Sequence, residues 1–416
     1  MIKIFKRYSI KKSLLLLLIF CLGIGIGFWY SKNPLSIPKP SPSKNTPHAF
    51  LSESFDKIKE NYWENITDAQ LIEMFKTASS ALGNPLPGEI SSKDELLKKM
   101  DKDQTIKLVS NVLTNLQPMG RSGLFTTKQE EQLKNTVSNI NPDKDLYKDL
   151  GIAKGASEAA VSEAYQKKEE ELKQEKTPQA QEQLKQIAYA KDVLTQSESK
   201  QRYDAGGVEP TIFTNVRGST LYLQFTKFSP TSINEFQQAF DAQKDKGLNS
   251  LILDLRGNAG GAIDSTAHFL GFFIGKNQSA FEFYKKGEYL PFRTPTDKLP
   301  SISKYKQIVI LIDNQTQSSA EMMAASLKKY HIGLLLGTPT RGWGTVERVF
   351  PLDNQINQSE KYSMFLVHSI TLRDDNQPIE GRGVEPNINV NDNTWQEQLF
   401  SYFRNQDLIQ AVKSIL

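Results

Sequence analysis

Leu251-Ile252-Leu253-Asp254-Leu255-Arg256-Gly257-Asn258-Ala259-Gly260-Gly261 decides the fold. A short apolar run ending in glycines reads as a strand covered on both faces that turns directly into a helix. Glycines at such a junction leave backbone N–H groups facing outward with no Cβ in the way, which suits an oxyanion hole or an anion cradle. A plain tight strand-to-helix turn fits the segment equally well. The spacing matches neither a dinucleotide fingerprint nor a phosphate-binding P-loop, which ends in Gly-Lys-Ser/Thr.

Outward from this segment, strands are predicted at residues 221–225, 308–312, 333–337, 345–350 and 364–372, with helices at 232–246 and from 318 to 329. The alternation predicts an α/β fold with a parallel or mixed sheet and crossover helices. Asp313-Asn314-Gln315-Thr316-Gln317-Ser318-Ser319-Ala320-Glu321 again ends a strand and opens a helix, whose free N–H groups favour developing negative charge. Ser318 or Ser319 is a candidate nucleophile there. Ser318 with Glu321 three residues on also reads as a capping box. Gly-Val-Glu-Pro occurs at 207–210 and again at 383–386, too short to be an architectural repeat.

The chain has 416 residues, more than one core normally organises. Fifty-one Lys and Arg against 47 Asp and Glu leave +4, so no nucleic-acid partner is expected. One cysteine and four scattered histidines argue against a metal site, and no cofactor is expected. Lys3, Lys6, Arg7, Lys11 and Lys12 form a cytoplasmic basic segment (1–12) before an anchor segment at 13–30, whose apolar run from Leu14 to Tyr30 as a helix spans about 25 Å. It reads as an uncleaved, single-pass membrane anchor that leaves the bulk of the chain on the extracytoplasmic side. Residues 31–48, with five prolines, read as an extended tether. Phe55, Ile58, Tyr62, Leu71, Ile72 and Phe75 recur at helical spacing, which predicts a helical region over 49–140. A second helical module with charged faces follows at 141–207, then the α/β domain at 208–392 and a helical segment at 393–416.

The order of these motifs resembles the carboxy-terminal processing, or tail-specific, serine peptidases. The likeness rests on Leu253-Asp254-Leu255-Arg256 with its glycines, on Ser318 to Glu321, on Gly337-Thr338-Pro339-Thr340 and on Gly381-Arg382-Gly383-Val384-Glu385-Pro386. It implies a crotonase-like α/β core, a polypeptide substrate, Ser318 as nucleophile, and an oxyanion hole formed by main-chain N–H groups of Ser319 and of Gly260 or Gly261. The family's base is a lysine 25 residues after the serine, and here Trp343 stands in that place. An indole N–H is a donor only and cannot take the serine's proton. Glu347, at the position of the family's supporting glutamine, is the candidate substitute base, with a charge on a solvent-facing strand as its alternative. Arg341 is expected to bind a substrate carboxylate or to pair with Glu347. His331 and His268 are placed out of reach of Ser318, and His368 on a late strand stays open.

Residues 141–207 resemble a degenerate J-domain through Asp145-Leu146-Tyr147-Lys148-Asp149-Leu150-Gly151-Ile152 and Lys200-Gln201-Arg202-Tyr203-Asp204. Lys173, Gln174 and Glu175 replace its His-Pro-Asp turn, so Hsp70 is not an expected partner. The module stands where related peptidases carry a PDZ domain. Two readings follow: a membrane-anchored serine peptidase of altered activity, or an inactive pseudo-peptidase that binds polypeptide ends or a client protein.

Overall fold

The computed structural model describes residues 45–86, 90–97, 102–356, 359–373 and 375–416. The expected anchor and most of the tether lie outside them. Among the described residues no helix is long and apolar enough to cross a membrane.

Four helices come first: α1 (Pro47–Asn61), α2 (Asp68–Ala81), α3 (Lys93–Leu97) and α4 (Lys102–Asn115). Thr46 and Thr67 satisfy free N–H groups at the starts of α1 and α2. The region is not wholly helical, because β1 (Gly123–Thr126) precedes α5 (Thr127–Val137). Next come α6 (Leu146–Leu150), α7 (Glu158–Lys173), α8 (Pro178–Leu194) and α9 (Ser197–Gly206). These four enclose a small core of Leu146, Tyr147, Leu150, Val161, Ile187 and Val193. Lys173 at the end of α7 and Gln174 and Glu175 after it lie exposed.

The remaining elements alternate: β2 (Ile212–Arg217), β3 (Thr220–Phe225), α10 (Ser232–Asp241), β4 (Ser250–Asp254), α11 (Thr266–Ile274), β5 (Ser279–Lys285), β6 (Glu288–Arg293), α12 (Pro300–Ser303), β7 (Gln307–Ile312), α13 (Ser319–Lys329), β8 (Leu334–Gly337), β9 (Thr345–Pro351), β10 (Tyr362–Thr371), β11 (Ile388–Asn389), α14 (Trp395–Phe403) and α15 (Gln406–Lys413). The central sheet runs β11-β8-β7-β4-β3-β2, parallel except for the β2–β3 pair. The interiors of its middle strands, Leu251–Leu253 of β4 and Ile308–Ile312 of β7, are apolar because both faces are covered. Leu251 and Leu253 of β4 enter the core shared with α10, α11 and α13, while Ile252 enters the core with Leu399 and Leu408 of α14 and α15.

A second, antiparallel sheet joins β1, β10, β5 and β6, with β9 also on β10. Leu366, Val367 and Ile370 of β10 share one core with Phe50, Phe55, Leu71, Phe75 and Leu108 of the leading helices. Residues 45–126 are thus packed onto strands more than 200 positions later in the chain. The carboxyl ends of β3, β4 and β7 meet at one edge of the central sheet, where the functional loops lie.

Candidate active site

Two loops are stitched together at that edge. Asn258, fully buried, donates from Nδ2 to the Phe225 carbonyl at 2.7 Å, and its own carbonyl accepts the Gln317 N–H at 2.9 Å. Thr316 Oγ1 donates to the Leu255 carbonyl at 2.9 Å, and Asp313 Oδ1 accepts the Gly257 N–H at 3.0 Å. Arg256 grips Asp254 through two nitrogens, at 2.9 and 2.7 Å, and so fixes the start of the glycine turn. Only glycine fits the closest approaches: a Cβ on Gly260 would stand 2.7 Å from Ser318 Cβ, and one on Gly261 2.0 Å from the Phe228 carbonyl oxygen.

Ser318 has φ 57° and ψ −124°. An ordinary helix cap is extended, whereas this backbone is strained for an L-residue and holds the side chain at the tip of a sharp turn. The residue is half-buried where it faces Gly260. Ser319 Oγ donates to the Gly261 carbonyl at 3.1 Å, and among the described residues the N–H groups of Ser319 and Gly261 have no protein acceptor. Of the two glycines expected as alternatives, Gly260 is engaged: its N–H donates to Asn258 Oδ1 at 2.8 Å and is not free. The two unclaimed donors are therefore those of Ser319 and Gly261.

Glu321 ties the serine to the loop that follows β8. Its fully buried carboxylate accepts the N–H groups of Ser318 (2.8 Å), Gly342 (2.7 Å) and Trp343 (2.8 Å) and the Thr340 hydroxyl (2.5 Å). Burial raises its pKa, and those four bonds oppose the rise. Ser318 and Trp343 thus donate to one and the same carboxylate oxygen.

From there the Trp343 indole turns to Glu347, with Nε1 donating to Oε1 at 3.2 Å; the Thr345 hydroxyl donates to the same oxygen at 2.5 Å. Glu347 is not a charge on a solvent face, and burial pushes its carboxyl up to about 6. No hydrogen bond joins it to Ser318. Arg341 is exposed and does not pair with Glu347; its backbone N–H donates to the Thr316 carbonyl at 3.0 Å. The arginine at the site is Arg121, whose guanidinium carbon lies 3.3 Å from the centre of the Trp343 ring and whose Nη2 pairs with Glu380 at 3.1 Å. Glu380 also accepts the Gly344 N–H at 2.7 Å. No sequence signal marked Arg121, while Glu380 stood unnoticed directly before Gly381-Arg382-Gly383.

The histidines lie elsewhere. His368 Nε2 is 2.7 Å from Lys285 Nζ, with its pKa lowered to about 4 by burial and the nearby cations. His331 is exposed after α13, and the His268 carbonyl accepts the Thr296 hydroxyl. Among the described residues no group of three or more His, Cys, Asp or Glu could hold a metal.

A parallel-centred α/β sheet, a strained serine opening a helix and two unclaimed N–H groups beside it come together at this one place in the fold. Residues 219–390 match peptidase family S41 and residues 145–204 match the DnaJ domain. The carboxy-terminal processing protease CtpA of Bacillus subtilis is 28% identical over 180 residues, 43% of this chain and 36% of that protein. A Staphylococcus epidermidis protein named "Probable CtpA-like serine protease" is 25% identical over 182 residues, 43% of this chain and 35% of that protein. The chain thus matches little more than a third of these relatives' length. The photosystem II D1 C-terminal processing protease shares the fold, with a TM-score of 0.51, 13% identity, and coverage of 83% of this chain and 92% of that one. Residues 219–390 thus carry the likeness to peptidase family S41 and its C-terminal processing relatives, and the DnaJ-like residues 145–204 stand ahead of them.

Proposed function

We propose that the protein is a membrane-anchored, extracytoplasmic member of this peptidase family that engages polypeptide carboxyl ends, with Ser318 in the nucleophile position and hydrolysis curtailed by Trp343 in place of the base. One observation carries the reading: among the described residues no side-chain base is hydrogen-bonded to Ser318, and the Trp343 indole is held by Glu347 and Arg121. The unclaimed Ser319 and Gly261 N–H groups support retention of oxyanion binding, so the cleft keeps its affinity for a peptide carbonyl while losing the proton acceptor. Glu347 as a substitute base is the second reading, favoured by a carboxyl pushed up to about 6, near the range of a working general base.

The test is cleavage of casein and of a carboxyl-terminally tagged peptide by the full chain, with Ser318→Ala as control. Turnover indistinguishable from that control is expected, together with slow fluorophosphonate labelling at Ser318. Robust cleavage lost in Ser318→Ala and in Glu347→Gln would instead establish the second reading.

A further inference from the structure

A cleft of about 920 Å³ is walled by α5, the 139–144 linker, Glu209 and Lys227. It stands at the upper end of the roughly 300–1,000 Å³ typical of binding clefts. Glu209 is already engaged by Lys144, at 3.4 Å, and by the Tyr189 hydroxyl. Lys227 is different: it is half-buried, and among the described residues its ammonium has no carboxylate partner. Burial, with no opposing charge, lowers its pKa. Its neighbour Phe228 pairs through its N–H with the Gly260 carbonyl at 2.9 Å and through its carbonyl with the Ala262 N–H at 2.7 Å. The lone ammonium therefore sits one residue from the strand-like contact that carries the glycine loop, and Gly260 faces Ser318.

We propose that this cleft binds an extended polypeptide and that Lys227 pairs with a carboxylate of that polypeptide. The assignment rests on the peptidase-cleft reading and names a subsite for it. Of the cleft's other two lysines, Lys144 is taken by Glu209 and Lys128 is exposed on α5, so the half-buried Lys227, with Glu131 and Asp143 lining the same cleft, suits a monoanionic carboxylate better than a dianionic phosphate. Gln132 and Asn135 on α5 offer both donors and acceptors to a peptide backbone.

The test uses the full chain carrying Ser318→Ala in detergent, so that binding is read without turnover. Three fluorescein-labelled heptapeptides of Ala and Ser are titrated by anisotropy: one with a free terminal carboxylate, one amidated, and one amidated with a central Glu. A carboxylate-bearing peptide should bind about tenfold or more tightly than the plain amide. The advantage should vanish in Lys227→Met, survive in Lys227→Arg and survive in Lys128→Met. Whether the free acid or the Glu peptide holds the advantage identifies the carboxylate as terminal or side-chain. Equal affinities, an advantage that persists in Lys227→Met, or no binding at all would overturn the assignment. Fluorophosphonate labelling of Ser318 in the unsubstituted chain separately reports whether the peptidase-cleft reading stands.

Discussion

At Ser318 an L-residue is held at positive φ, a conformation that costs on the order of 1–3 kcal/mol and persists only where its surroundings enforce it. The sequence marked Ser318 through Glu321 as a capping box as well as a candidate nucleophile; Glu321 does accept the Ser318 N–H, while the left-handed backbone angle is something no local motif encodes. Trp343 was equally visible, yet its partner Arg121 was not, because the stack joins residues more than 200 positions apart. That stack alters what substitution can achieve. In Trp343→Lys alone, Glu347 would hold the new amine protonated, whereas adding Glu347→Gln removes that carboxylate and keeps the Arg121 guanidinium against the same position, which favours the neutral amine. The double variant is expected to cleave casein ~10²- to 10⁴-fold faster than the unsubstituted protein, and the single variant much less. Glu347 also imposes a pH dependence. Its carboxyl rises from the ordinary 4.5 to about 6 in the folded state, so the folded protein binds this proton more tightly than the unfolded chain. The resulting stabilisation, about 2 kcal/mol, is fully present below pH 4.5 and is lost as pH rises through about 6. Denaturant midpoints should show Glu347→Gln gaining on the unsubstituted protein at pH 8 relative to pH 4.5.

Among the elements, the loop from β8 to β9 depends on Glu321 more than on its own residues. Glu321→Gln keeps the shape but turns one acceptor oxygen into a donor facing backbone N–H groups, and should lower the denaturation free energy by about 3 kcal/mol while slowing fluorophosphonate labelling of Ser318. Gly344→Ala would press a Cβ to 2.1 Å from the Glu380 N and should displace the Arg121–Glu380 pair, lowering stability by about 1–3 kcal/mol in the same assay. The central strands were legible because β4, β7 and β8 are unbroken apolar runs. The β5–β6 hairpin was not: its turn is Lys286-Gly287, both at positive φ, rather than Asn-Gly or Asp-Gly. β1 escaped notice as four residues between helical stretches, since its strand character comes from pairing with Met364 and Phe365 of β10.

For the whole molecule, the shared core of the leading helices and β10 predicts that residues 45–416 fold without the proposed anchor and that residues 45–126 and the α/β domain melt together. Scanning calorimetry of that fragment should give one transition for the two; a separate early transition assigned to the leading helices would contradict it. The 145–206 module joins this body by fewer links, chiefly Arg202 to Glu235 at 3.1 Å and Tyr189 against Phe213. Arg202→Met leaves Glu235 buried without its counter-ion and should cost about 2 kcal/mol, with faster limited proteolysis near Gly206 and Gly207. The module's two ends also meet: Ile140 bridges Val208, and Asn139 accepts the Glu209 N–H at 3.0 Å. Chain that leaves and returns through one paired doorway adds almost no closure entropy to the body it leaves. The J-like hairpin is therefore an insertion cassette, a unit that evolution or an engineer can exchange at residues 140 and 208 without re-threading the fold beneath it.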